Sequence, residues 1–302
     1  MTAERHPAGA RDWPVAEDGN PATLIAALAR NAAEFGDRIA FRERRYGIWQ
    51  EQNWREVLDE VAAMAAGLEA AGLAAGTAMT VIGDNRPRLY YAMLAANMLR
   101  AFPSPVFPDV PLEELIAATR HGAPKVGVAE DQEQVDKLLE LRAATGRVAT
   151  ILYDDERGLD GYDLPGLMSL DKLVTKGRER LAREPELLAR FVQAPQADDI
   201  SVLLHSSGTT GLPKGIPLRH RNVTGGLLNA RASGYFHKHE ELYAYLPTAW
   251  VGDFVFTLGA GMMMTATINV PERQETVMRD LREVSPTFYL AAPRAWDQML
   301  TR

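Results

Sequence analysis

The chain has 302 residues, 46% of them apolar, enough to bury a substantial core as one large domain or two. Its formal charge is −7 and it has no cysteine, which excludes a broad basic footprint for nucleic acid, a disulfide framework and thiolate chemistry. Residues 1–20 are polar and carry no secretion signal, and the longest uncharged stretch, 254–271, is broken by glycines, threonines and Asn269 and falls short of the ~20 apolar residues of a membrane span.

In chain order, Asn20-Pro21 reads as the cap of a helix with Leu24, Ile25, Leu28 and Ala32 on one face, ended by Gly36. Residues 38–44 and 46–50 read as a hairpin around Arg45, and the run Arg42-Glu43-Arg44-Arg45 as a solvated sheet edge. Asn53 caps the next helix with Glu56 in capping-box position, and Trp54, Val57, Val61, Met64 and Leu68 point inward. Strands and helices then alternate. Strands are expected over 79–82, 101–106, 125–129 and 148–153, and helices over 86–99 (capped by Asn85), 111–121 and 132–144. Such alternation predicts an α/β fold of layered, parallel-rich sheets covered by helices. Residues 154–166 read as a loop, Ser169 starts a charged helix, a second follows over 185–192, and 194–199 is a polar connector. Ile200 opens a new βα series, which divides the chain into subdomains 1–199 and 200–302.

The apolar run 200–204 leads into Ser206-Ser207-Gly208-Thr209-Thr210-Gly211-Leu212-Pro213-Lys214-Gly215. Its glycines let the backbone come close to a ligand, its hydroxyls and free N–H groups are donors, and Lys214 adds a charge, a set suited to a polyphosphate. The spacing is not that of a Walker A loop, and no Gly-x-Gly-x-x-Gly fingerprint is present in this loop.

This string resembles, position for position, the phosphate loop of the adenylate-forming superfamily, which includes acyl-CoA synthetases, peptide-synthetase adenylation domains and luciferases. The stretches 216–223, 243–247, 285–287 and 293–296 are similar to elements of its long-chain acyl-CoA synthetase branch, so the resemblance covers most of the chain. It implies that a carboxylate attacks the α-phosphate of ATP, expelling pyrophosphate, and that the acyl-adenylate then passes to CoA. Ser206, Ser207, Thr209 and Thr210 would bind phosphates, Lys214 would neutralise the β/γ end, and Gly208, Gly211 and Gly215 would permit backbone approach. Mg²⁺ would bridge the phosphates with few protein ligands, and no metal-ligating residue is assigned.

Trp250 stands where long-chain synthetases often carry His, so that residue's role is not carried over; Trp250 either walls an apolar pocket or packs in the core. Asp253 reads as a helix cap. Residues 254–264 are apolar all round, as in a buried helix. By resemblance this helix lines an acyl channel with Phe254, Gly259 and Met262, while ordinary core packing accounts equally for each residue taken singly. His205 beside the loop reads as a packing residue, Trp54 as structural, and His220, His237 and His239 as caps or surface residues.

The superfamily's adenine, ribose, hinge and catalytic-lysine segments are absent up to Arg302, so the resemblance implies an N-terminal portion with no catalytic residue of its own, inactive alone. The expectation is a cytoplasmic ligase for a fatty or other apolar acid, with room for a homodimer and for peripheral membrane contact. The alternatives are a non-catalytic nucleotide- or acyl-binding unit and an aryl- or amino-acid adenylating enzyme.

Overall fold

The computed structural model describes residues 13–17, 19–207, 213–291 and 296. Thr23 opens α1 (Leu24–Glu34), its Oγ1 accepting from the Ala26 N–H at 3.0 Å. The cap therefore sits at Thr23 and not at Asn20-Pro21, because the extended, buried Thr23 supplies the side-chain acceptor for the first turn. β1 (Ile39–Arg45) turns into β2 (Ile48–Asn53) through Tyr46-Gly47, both at positive φ (51° and 76°). That two-residue turn matches the twist of a hairpin and shifts the bend one residue beyond the expected Arg45. The capping box at Asn53 and Glu56 is present in both directions (2.9 and 2.8 Å) and starts α2 (Trp54–Ala70), with Trp54 fully buried.

The βα alternation follows as β3 (Ala78–Ile82), α3 (Pro87–Met98), β4 (Phe102–Val106), α4 (Leu112–Ala118), β5 (Val126–Ala129), α5 (Gln132–Thr145) and β6 (Thr150–Tyr153). A short strand that the turn-rich sequence hides, β7 (Leu167–Ser169), precedes α6 (Leu170–Arg183) and α7 (Leu187–Gln193). β3 to β7 form one sheet in the order β4-β3-β5-β6-β7, every pair parallel, as the alternation predicts. Next come β8 (Ile200–Ser207), β9 (Pro213–Arg219), α8 (His220–Ala232), β10 (Glu241–Tyr243) and α9 (Val251–Asp253). α9 runs through a π-helical stretch, Phe254–Gly259, into α10 (Ala260–Met264), followed by β11 (Thr267–Val270) and α11 (Val277–Val284).

The second sheet has the order β10-β11-β1-β2 and takes strands from both sides of residue 199. β1 is thus an interior strand, flanked by parallel β11 and antiparallel β2. This corrects the reading of 42–45 as a solvated edge. Arg42 pairs with Glu51 (2.9 Å) and Glu241 (3.0 Å), Arg44 with Asp280 (3.0 Å), and Glu43 is 9% exposed. The local pattern could not show it, because the covering strand arrives more than 200 residues later.

α3 lies between the sheets. All its residues except Arg88 are buried, and Tyr91 packs edge-on to Phe41 of β1 at 5.0 Å. α6 crosses α2 where Gly177 meets the Ala63 carbonyl, a contact so close that a Cβ would overlap it.

Candidate nucleotide and acyl site

β8 is walled by buried Val202, Leu203 and Leu204 and runs straight into the glycine-rich string. β9 returns antiparallel in a register that sets His205 opposite Gly215, Ser206 opposite Lys214 and Ser207 opposite Pro213. The apolar run is the strand expected from sequence, and it forms one arm of an antiparallel hairpin that makes a separate two-stranded sheet. Ser206 is half-buried and Lys214 exposed, so a hydroxyl and an ammonium flank the base of one loop. Gly208, Thr209, Thr210 and Gly211 lie outside the described residues.

His205 has its Nε2 3.2 Å from the Ala118 carbonyl, to which it donates. Burial holds its pKa below the ordinary histidine value, so the ring is neutral and fixed by packing, as expected. His220 departs from the surface reading. It is fully buried at the start of α8, its Nδ1 accepts from the Leu24 N–H at 3.4 Å, and burial lowers its pKa to about 4.

α8 links this hairpin to the apolar helix. A Cβ on Gly259 would come within 3.0 Å of Val223 and 3.1 Å of Leu227, so the space beside Gly259 is filled by α8. Phe254 and Met262 are buried in the same core cluster, 1% and 0% exposed. Trp250 stands apart from them, 39% exposed at the start of α9 with its ring over Gly252. The apolar space beside the π-helical stretch is a gap of about 10 Å³ lined by Leu242, Leu246, Phe256, Thr257, Phe288 and Leu290, together with Tyr243. That is room for one water at most. Phe256 and Thr257, which the sequence reading passed over, face this gap. The π-helical widening, which re-aims side chains and is frequent at functional sites, leaves no signature in a uniformly apolar string.

Behind the gap lies a buried polar cluster. Asp253 is 0% exposed and accepts from the Tyr90 hydroxyl at 2.9 and 2.8 Å. Asn85 Nδ2 donates to Tyr90 Oη (2.6 Å) and to the Leu246 carbonyl (2.9 Å), and lies 3.3 Å from Asp253 Oδ1. Neither residue caps a helix as expected. Arg86 occupies the N-cap of α3 without a side-chain bond, and Asn85 instead ties the turn after β3 to the segment after β10. Burial raises the Asp253 carboxyl to about 8 against the pull of its hydrogen bonds from Tyr90, Thr257 and Asn85.

A cleft of about 930 Å³ opens at the carboxyl ends of β1, β3, β5 and β6. Its floor is a network in which Arg86 meets Glu130 (2.9 Å), Arg88 meets Asp154 (2.9 Å) and Asp171 (2.8 Å), and Arg45 meets Glu43 (2.6 Å). Burial raises the carboxyls of Glu43, Glu130 and Asp154 above the ordinary range against the pull of these arginines. No contiguous motif in the sequence marks this cleft. Its one visible signal is an acidic residue just after each of several parallel strands. Among the described residues no three His, Asp or Glu side chains converge as metal ligands, and no helix is long and apolar enough to cross a membrane.

The chain resembles known proteins along most of its length. It is 21% identical over 288 residues to a long-chain-fatty-acid–CoA ligase of Bos taurus, covering 93% of this chain and 39% of that protein. It is 23% identical to fatty acyl-CoA synthetase B of Dictyostelium discoideum, covering 94% of this chain and 43% of that one. Among solved structures, the adenylation–carrier didomain of a Segniliparus rugosus carboxylic acid reductase, in complex with AMP, superposes with a TM-score of 0.70 at 21% identity, over 92% of this chain and 43% of that one. Acetoacetyl-CoA synthetase of Streptomyces lividans gives 0.69 at 19% identity, over 87% of this chain and 41% of that one. The chain thus spans about two fifths of the length of the curated relatives it matches. The profile of AMP-binding enzymes matches residues 28–302, a run that takes in the hairpin, the buried helix and both larger sheets, and the chain belongs to that family.

Proposed function

We propose that this chain is the phosphate-binding N-terminal portion of an ATP-dependent acyl-CoA synthetase acting on a fatty or other apolar acid. The observation that carries the reading is the hairpin register, which sets Ser206 and Lys214 across from each other at the base of the ten-residue string. In this reading the loop hydroxyls and N–H groups of 206–211 hold the polyphosphate, and Lys214 offsets its charge. Catalysis by this portion is positioning and charge stabilisation. Mg²⁺, when bound, adds charge neutralisation between phosphates, and CoA is the acyl acceptor. Phe254 and Met262 back the acyl site, and Trp250, on its exposed side, guards the approach to it. Gly259 lets α8 close against the helix, coupling it to the phosphate hairpin. We place the protein in the cytoplasm, with peripheral membrane contact and a homodimer as compatible states.

The test is carboxylate-dependent ATP–pyrophosphate exchange, run on the 302-residue chain and on a form extended along its natural reading frame, with fatty, aryl and amino acids. Exchange in the longer form with fatty acids supports the reading. Exchange only with aryl or amino acids moves the substrate class. ATP binding with no exchange in either form leaves a nucleotide-binding unit.

A further inference from the structure

The order β4-β3-β5-β6-β7 is that of a doubly wound sheet with its topological switch between β3 and β5. In such sheets ligands bind outside the carboxyl ends of the strands at the switch point. The 930 Å³ cleft lies there, lined by Asp84 after β3 and by Glu130 and Asp131 after β5. Its lining carries eleven carboxylates against six arginines, a surplus that repels a polyphosphate.

The arginines are already engaged. Arg45, Arg86 and Arg88 serve the floor network, Arg44 pairs with Asp280, Arg157 with Asp155, and Arg273 with Glu275. The carboxylates left without an ion-pair partner among the described residues are Asp84, Asp109, Asp131 and Glu156. They follow β3, β4, β5 and β6 in turn, one per strand end across four neighbouring strands. Adjacent strands lie about 4.8 Å apart, so such a row spans roughly 14 Å. Carboxylates spread in this way do not converge on a single ion, consistent with the absence of a metal-ligating group among the described residues. A second observation points the same way. Gln134, 5% exposed, lines the cleft with its Oε1 buried and without a hydrogen-bond partner. A buried acceptor left unmatched calls for a donor.

We propose that this cleft binds a linear polyamine, whose spaced ammonium groups meet Asp84, Asp109, Asp131 and Glu156 and whose N–H groups supply a donor to Gln134. The inference is independent of the nucleotide and acyl reading.

The test is calorimetric titration of the chain with putrescine, spermidine and spermine, with Mg²⁺ at matched charge as the screening control. Affinity is expected to rise along the series, with Mg²⁺ weaker than spermidine. The double variant Asp84→Asn/Asp131→Asn, which keeps the polar shape and the α5 cap, is expected to lower spermine affinity about tenfold. The exposed pair Glu113→Gln/Glu114→Gln on α4, outside the cleft, is expected to leave it unchanged. Equal losses from the two double variants at unchanged circular dichroism would mean diffuse attraction to an acidic surface, which also strengthens with amine charge, and would overturn the site; equal binding of all three amines, which spaced carboxylates do not allow, would overturn it as well.

Discussion

Replacing Asp253 by Asn removes an ionisable group from the core while keeping an acceptor for the Tyr90 hydroxyl. The carboxyl titrates at 3.8 in an open chain and at about 8 in the fold, where burial outweighs its hydrogen bonds. A folded-state pKa raised above the unfolded value means that the native protein holds a proton the unfolded chain has lost. The stabilising contribution is complete below pH 3.8 and drains away as pH rises toward 8. Within that window the wild type loses about 1.4 kcal/mol per pH unit from this group, and the Asn variant does not. For a chain of 302 residues the unfolding entropy is about 0.6 kcal/mol/K, so the gap in melting temperature should widen by roughly 2 °C per pH unit. Taking the difference between variant and wild type isolates Asp253 from His220, whose lowered pKa gives the opposite slope between pH 4 and 6.5. Paired thermal melts from pH 5 to 7.5, monitored by circular dichroism, measure the gap. A constant gap would show that Asp253 is ionised at its ordinary pKa in the fold, and the account of its burial would fail.

Gly177→Ala forces a methyl into the Ala63 carbonyl at the α2–α6 crossing, and a loss of about 2 kcal/mol, or roughly 3 °C in melting temperature, is expected from denaturation. Thr23→Ala leaves the Ala26 N–H without its cap and should lower stability by about 1 kcal/mol in urea titration, with m unchanged. Lys214→Ala should weaken ATP binding tenfold or more, about 1.5–3 kcal/mol, in equilibrium dialysis without altering the melt, since the side chain is exposed. Unchanged ATP affinity would remove Lys214 from the phosphate site.

What could be read from the sequence was local. The capping box at Asn53 and Glu56, the βα alternation of 78–153 and the buried character of 254–264 rest on spacings of a few residues, and each is in the structure. The illegible parts depend on partners far away in the chain. Asp253 looks like a helix-start carboxylate until Tyr90, 163 residues earlier, is placed against it. β1 looks like an edge until β11 covers it. β7 is three residues long inside a turn-rich stretch, too short for an alternation to show. The cleft has no contiguous motif at all. It exists because parallel connections bring the same end of each strand to one side, gathering residues that sequence scatters from 43 to 273.

The late arrival of β11 has a bearing on how the protein is made. Ile268, which pairs with Phe41, is synthesised 227 residues later, a lag of roughly 10–45 s at about 5–20 residues per second. Through that interval the β1–β2 hairpin, once outside the ribosome, presents Phe41 and a row of unmatched backbone groups to whatever lies nearby. The parallel sheet of 78–169, with its strands drawn from one continuous stretch, can close first and shelter α3 on one face only. A nascent chain arrested before residue 267 should therefore bind holdase chaperones through 39–53, and release should coincide with emergence of 267–270.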